Sequence, residues 1–334
     1  MAGSQVFEAR AGARIAFLRR STEDPLAEDG PSVIRNLTAS PKKISSVYVY
    51  DKHGTELFER QCETPEYYLR RAEAQLLAHH AGDIVDLCGL VPIVELGAGT
   101  AEKTRFLLRE YQRRGARCDY FPIDVDSKTL FEAAYRLTSA FSRLQVYCLG
   151  TTYEKGLRTL ANHRGRRLFL FLGSSIGNME LRDIDDVLGE LFRNSAEGDY
   201  LLVGADLDKD PAIINRAYND SAGYGARSTL NMLCHLNRRY RGDFVLDRFR
   251  YRSQYDPCAK RNEVKIESLV DQTVTLADLA FTVSFAASES IDAEVMWKFD
   301  PDALAIILER AGLVKVARWI DPVYRYGLFL SRHQ

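Results

Sequence analysis

The 334-residue chain is long enough for one large core or two modest ones. Its 45 basic and 46 acidic residues leave a net charge of -1, with 46% hydrophobic and 27% charged residues. That balance describes an ordinary soluble protein and argues against a nucleic-acid or anionic-membrane partner.

No apolar run approaches the roughly 18 residues of a membrane span. The first 24 residues carry Glu8, Arg10, Arg14, Arg19 and Arg20, too much charge for a secretory signal. Six scattered cysteines without a C-x-x-C pair read as reduced thiols of a cytoplasmic protein. His79 and His80 are adjacent and diverge on a helix, so no metal site is expected.

In chain order, residues 1 to about 20 read as a loosely held terminus. From Asp29 to Pro41 small and polar residues dominate, with a turn at Ser40-Pro41-Lys42-Lys43. Val47 to Tyr50 reads as a short extended piece, helix resumes at Glu56, and Pro65 is placed in the first turn of a helix running to Leu77. A strand-helix alternation then sets in. Strands are expected at Ile93–Leu96, Cys118–Ile123, Leu144–Cys148, Leu168–Leu172 and Tyr200–Ala205, with helices at 103–113, 127–140, near 154–162 and at 183–194. This spacing predicts right-handed βαβ crossovers and a parallel, doubly wound α/β sheet whose ligand crevice lies at the carboxyl ends of its strands.

After Asp206 the pattern changes. Residues 211–240 read as helices and loops, and 243–299 as β-rich runs. A helix from Pro301 to Ala311 and strands Val314–Ile320 and Tyr326–Ser331 return to the sheet. The expected division is a sheet domain at 72–208 plus 299–334, and a mixed α+β cap at 20–71 plus 209–298 packed over the ligand edge.

The centre of the chain is Ile93-Val-Glu-Leu-Gly97-Ala-Gly99-Thr-Ala-Glu102. Gly97 and Gly99 allow a tight turn and close ligand approach because neither carries a Cβ. A dinucleotide fingerprint needs a third glycine where Glu102 stands, and that carboxylate would repel a pyrophosphate. A ligand with a ribose and a positive centre fits better, as in S-adenosyl-L-methionine. A tight βα turn with no ligand is the plain alternative. Asp124, ending the next strand, is the candidate acid for the ribose hydroxyls, and Asp126 is an alternative or a helix cap.

Pro41-Lys42, Tyr50-Asp51, Pro65-Glu-Tyr67-Tyr68, Glu95 to Thr100, Glu102 to Arg105, Phe171 to Asn178, Ala217-Tyr218-Asn-Asp220 and Glu294-Val295 occur in an order spanning nearly the whole chain. In this the chain resembles the histidine-specific, S-adenosylmethionine-dependent Nα-methyltransferases, which trimethylate histidine to its betaine. The resemblance implies a Rossmann-like class I methyltransferase sheet with a second, substrate-binding domain. It implies a monomer acting on a small amino acid, with cofactor contacts at Tyr50, Gly97, Gly99, Lys103, Asp124, Thr152 and Tyr153. It places the amino acid at Tyr67, Asn178, Tyr218 and Glu294, with Asn178 and Tyr218 orienting the amine for attack.

Five positions depart from the family pattern. Thr152-Tyr153 replaces Asp-Phe, Ser228 replaces phenylalanine, Val264 replaces methionine, and Met296 replaces the serine that shares imidazole binding with the acid at 294. A strand puts residues 294 and 296 on one face, so half of the paired polar readout is lost. The expectation is a pocket reshaped for a larger aromatic side chain, tryptophan among them. The other reading is a regulatory protein that binds the cofactor without turnover.

Overall fold

The computed structural model describes residues 14–20, 29–161 and 165–334. In chain order the elements are β1 (Ile15–Arg20), α1 (Gly30–Thr38), β2 (Lys42–Lys43), α2 (Lys52–Cys62), α3 (Leu69–Cys88), β3 (Ile93–Leu96), α4 (Arg105–Arg113), β4 (Cys118–Asp124), α5 (Ser127–Ala140) and β5 (Leu144–Gly150). They continue with α6 (Tyr153–Thr159), β6 (Leu168–Phe171), α7 (Leu181–Asn194), β7 (Tyr200–Asp206), α8 (Pro211–Tyr218) and α9 (Tyr224–Tyr240). The chain ends with β8 (Phe249–Asp256), β9 (Arg261–Ser268), β10 (Gln272–Leu276), β11 (Phe281–Phe285), β12 (Ser290–Trp297), α10 (Pro301–Arg310), β13 (Leu313–Ile320) and β14 (Tyr326–His333).

The chain divides into two compact units. The first comprises β1, Arg71–Leu207 and Phe299–Gln334; the second comprises 29–70 and Asp208–Lys298. In the first, eight strands form one sheet in the order β1-β5-β4-β3-β6-β7-β14-β13. β1 to β7 pair in parallel, whereas β14 runs antiparallel to both β7 and β13. β3, β6 and β7 are buried along their whole length. Continuous burial matches their largely apolar sequences, broken by Glu95 in β3 and ending at Asp206 in β7, as expected of strands covered on both faces. Strand order reverses between β3 and β6, so the loops after these two strands flank the switch point of the sheet.

In the second unit β2-β12-β9-β8 form a sheet and β10-β11 a hairpin. A register shift between Asp292 and Glu294 marks a bulge in β12.

The N-terminal third departs from its sequence reading. Ile15–Arg20 is not a loose end but the edge strand β1, parallel to β5. Residues 30–38 form a helix, because Val33 and Leu37 make one buried stripe and Pro31 sits at the start. Lys42–Lys43 pairs with β12 instead of turning, and Ser46–Val49 is a 3-10 turn, not extended chain. The Pro65 helix begins only at Leu69 and runs eleven residues past Leu77, to Cys88. The sheet is mixed, not parallel throughout, because its last two strands return by a hairpin.

Candidate functional site

In the first unit the turn after β3 carries Gly97 at φ +69° and Gly99 at φ +49°, a backbone conformation that disfavours any side chain. The Gly97 and Ala98 N–H groups donate to the Ile123 carbonyl of β4 at 2.9 and 3.2 Å. A Cβ on Gly97 would lie 2.8 Å from the Tyr153 hydroxyl, while one on Gly99 would meet nothing within 4 Å. The turn therefore presents open backbone at Gly99 and a phenol beside Gly97.

Asp124 closes the other side. One carboxylate oxygen accepts the Gly99 N–H at 2.9 Å and the other accepts the Asp126 N–H at 3.0 Å. Burial raises its pKa against those two hydrogen bonds. Each oxygen keeps a lone pair for a hydroxyl, so the acid fits a ribose diol. Asp126 caps α5, accepting the Lys128 and Thr129 N–H groups at 3.0 and 3.1 Å. Tyr153 is pushed up to about 12, by burial first and then by Asp124, and so stays a neutral phenol near neutral pH. Thr152 precedes it at the helix start with an exposed side chain. Glu102 pairs with Arg105 at 2.9 Å.

Lys103 is held by a residue that the sequence reading missed. Its ammonium donates to Glu73 on α3 at 2.5 Å, and Glu73 is almost wholly buried. The same carboxylate accepts the Gly173 N–H at 2.8 Å and the Tyr326 hydroxyl at 2.8 Å. A Cβ on Gly204 would fall 1.9 Å from Glu73, so this glycine in a buried strand makes room for the carboxylate. That glycine was the available signal.

Glu95, inside the β3 motif, faces the core. It accepts the Thr104 hydroxyl at 2.5 Å and the Tyr120 hydroxyl, and burial lifts its pKa to about 7 despite those bonds. Its role is to tie the turn to β4 and α4. Asn178 ends the 3-10 turn Ser175–Asn178 after β6, exposed to solvent. Ser174, at φ +57°, secures that turn by accepting the Asp206 N–H at 3.0 Å.

In the second unit a run of edge-to-face rings joins Tyr50 to Phe58 at 6.2 Å, Phe58 to Tyr67 at 6.1 Å and Tyr67 to Tyr218 at 6.1 Å. Tyr50, expected among the cofactor contacts, thus belongs to the second unit with the tyrosines expected to hold substrate. Tyr218 ends α8, where the Tyr251 hydroxyl donates to its carbonyl at 2.5 Å. The buried Lys298 donates to the Tyr218 hydroxyl at 2.7 Å. Asp220 of the same motif caps the start of α9 through the Tyr224 and Gly225 N–H groups, both at 2.8 Å.

Glu294 is paired in register with Val264, and Met296 with Asn262, so these four share one face of the β12-β9 ladder. Glu294 retains some exposure, but loss of solvation pushes its carboxyl up to about 7. Ser228 lies elsewhere, at the crossing of α2 and α9, with its hydroxyl 3.4 Å from the Gly54 carbonyl. A cavity of about 580 Å³ in this unit is lined by Asp51, His235, Arg238, Tyr240 and Asp278, none of them an expected site residue. Asp51 itself caps α2 and holds Asn231 at 2.8 Å.

Among the described residues no cluster of three His, Cys, Asp or Glu could hold a metal ion. His80 instead bonds Asp83 at 2.8 Å and stacks on Trp319. No described helix is long and apolar enough to cross a membrane.

A switch-point crevice with an open glycine turn and an acid closing the next strand fits a class I methyltransferase unit that takes S-adenosyl-L-methionine. The model of the histidine-specific, SAM-dependent methyltransferases matches residues 27–333, and the chain belongs to that family. A histidine N-alpha-methyltransferase of Mycobacterium tuberculosis is 35% identical over 94% of this chain and 99% of its own length. One from Mycolicibacterium smegmatis is 36% identical over 88% and 92%. A 4-dimethylallyltryptophan N-methyltransferase of Claviceps purpurea is 27% identical over 59% of each chain.

Proposed function

We propose that the chain methylates the α-amino group of a free aromatic L-amino acid, in a pocket shaped for histidine or for a larger ring such as an indole. The observation that carries this reading is the β12-β9 face, where one carboxyl, Glu294, stands among Val264 and Met296. One carboxyl beside two apolar side chains suits a ring bearing one N–H or O–H, since the Asn262 amide on that face is already bonded to Ser253. The relatives support it, since those named above include histidine enzymes and one named for a tryptophan derivative.

Bound S-adenosylmethionine supplies a methyl group already activated on a sulfonium. Asp124 would take its ribose hydroxyls, the Gly97–Gly99 backbone would lie against it, and Lys103, Thr152 and Tyr153 would border it. Tyr67 and Tyr218 donate to the amino-acid carboxylate. The Asn178 carbonyl accepts from the amine and aims its lone pair. Holding two reactants in line can supply on the order of 7–11 kcal/mol of rate acceleration. The amine gives its proton to water or to a tyrosine, because the expected site residues include no histidine or cysteine to act as base.

The test is incubation with labelled S-adenosylmethionine and each of the twenty amino acids, alone and in competition. Label is expected on an aromatic amino acid, with a large ring turned over at least as well as histidine. Exclusive turnover of histidine in competition rejects the reshaped pocket. Tight S-adenosylhomocysteine binding with no turnover of any amino acid favours a regulatory protein instead.

A further inference from the structure

Tyr153 is the first residue of α6, with a half-buried ring at the carboxyl end of the sheet. Backbone and packing hold it there. The Thr151 N–H donates to the Asp124 carbonyl at 2.9 Å, which ties the loop before α6 to the end of β4. Gly156, about one turn further on, lies so close to β4 that a Cβ on it would meet the Ile123 side chain at 2.7 Å. The helix therefore rests directly on that strand. The Tyr153 ring meets Phe171 of β6 edge to face at 5.9 Å.

None of these contacts uses the hydroxyl. It lies against Gly97, 2.8 Å from where a Cβ would stand, and near enough to Asp124 for that charge to help hold its proton in place. Yet the Asp124 oxygens take the Gly99 and Asp126 N–H groups, at 2.9 and 3.0 Å, and no described residue hydrogen-bonds to the phenol. An enclosed phenol ordinarily finds a hydrogen-bond partner, so this one points to a partner from outside the chain.

Asp124 and Tyr153 offer complementary chemistry to a single group. An ionised carboxylate only accepts, whereas a neutral phenol can donate. A ribose hydroxyl that gives its hydrogen to Asp124 keeps lone pairs on its oxygen, and Tyr153 stands beside the same turn and the same acid with a hydrogen to give. Engaged from both sides, a hydroxyl is told apart from a hydrogen atom, which does neither, and from an ether, which only accepts.

We propose that Tyr153 is a specificity-determining residue of the cofactor site, donating its hydroxyl hydrogen to a ribose hydroxyl oxygen that Asp124 holds from the other side. The departure from phenylalanine at this position then adds a contact to the cofactor. This goes beyond the amino-acid reading above and is independent of which amino acid is methylated.

The experiment is titration calorimetry of S-adenosylhomocysteine and its 2′-deoxy and 3′-deoxy derivatives against wild-type protein and Tyr153→Phe, which keeps the ring and removes only the hydroxyl. A neutral hydrogen bond corresponds to roughly 3–10-fold in affinity, so Tyr153→Phe is expected to weaken S-adenosylhomocysteine by about that factor. At least one deoxy derivative, having lost the oxygen that Tyr153 addresses, should bind the two proteins within about 1.5-fold of each other, because the coupled partner is gone. The unliganded variant should melt no lower than wild type, since no protein group loses a partner.

Equal weakening of all three ligands, or weakening of none, overturns the inference and leaves Tyr153 as packing alone. A lower melting temperature for the unliganded variant also overturns it, because the hydroxyl would then have a partner within the chain. Failure of the wild-type protein to bind S-adenosylhomocysteine overturns the cofactor site and this inference together.

Discussion

In the proposed pocket, Glu294 is the residue whose protonation decides what the substrate side chain would meet. With its carboxyl raised to about 7, it is a neutral donor in mild acid and an ionised acceptor in mild base. The raised pKa means that the folded protein holds this proton more tightly than the unfolded chain. Stability from this group is therefore complete below the ordinary carboxylate pKa and is lost as pH rises through about 7. Glu294→Gln mimics the protonated form at every pH, so its melting temperature should gain on the wild type progressively from pH 5 to pH 8. Glu95 is raised by burial in the same direction, but it is present in both proteins and cancels in the comparison. The variant should also lose the wild-type rise in kcat/KM near pH 7 for a substrate whose ring donates a hydrogen bond. Parallel melting curves across that range would show that Glu294 ionises as it does in water. Such residues are half legible in sequence: Gly97, Asp124 and Tyr218 stand in recognisable motifs. Glu73 and Lys298 carry ordinary surface residue types, and only their burial, which no local pattern encodes, marks them out.

At the level of elements, α3 does more for the crevice than its sequence suggests. Through Glu73 it gathers Lys103 from the segment before α4, the Gly173 N–H from the loop after β6 and the Tyr326 hydroxyl from β14. Three pieces of chain thus take their positions from one carboxylate. Glu73→Gln keeps the shape and can still accept from Gly173 and Tyr326, but it leaves Lys103 without its counter-charge. Removing one partner of a charged hydrogen bond costs about 1–3 kcal/mol. Titration calorimetry should find S-adenosylhomocysteine bound about tenfold more weakly, since Lys103 is freed from its place, an effect of similar size to that loss. Unchanged affinity with lowered stability would make the pair purely structural. The alternating strands and helices from β3 to β7 were readable because each buries a continuous apolar run or a clear stripe. β1 and α1 were not, being short, and β1 is fixed by pairing with β5, a strand far along the chain. The Pro65 segment misled for a similar reason: proline suits a first helical turn, but here the helix starts four residues later.

For the molecule as a whole, the first unit separates function from stability across the two ends of its sheet. The chain leaves this unit after Leu207 and returns at Phe299, which bridges in parallel to Leu207 and donates its N–H to Asp206 at 3.2 Å. The break after Asp206 was visible as a change of pattern. That β14 would enter beside β7 and leave β13 at the edge was not, because strand order depends on pairings no local stretch records. The crevice residues lie at the carboxyl ends of the strands. Arg167 and Asp199 stand at the opposite end, immediately before β6 and β7 and only 1% exposed. Arg167 donates to the Asp199 carboxylate at 2.7 and 3.2 Å, to the Leu160 carbonyl at 2.9 Å and to the Asn194 carbonyl at 3.0 Å. Asp199 in turn accepts the Arg167 and Ala196 N–H groups at 2.6 and 2.8 Å. Arg167→Met would strand a buried carboxylate and two carbonyls. Breaking a buried pair from one side costs roughly 3–5 kcal/mol, so the melting temperature should fall by several degrees. At 25 °C the folded variant should bind S-adenosylhomocysteine and turn over its substrate within about twofold of wild type, because well-separated sites act independently. A matched fall in affinity and stability would mean that the floor of the sheet and its crevice move together, and that the strands do not insulate one from the other.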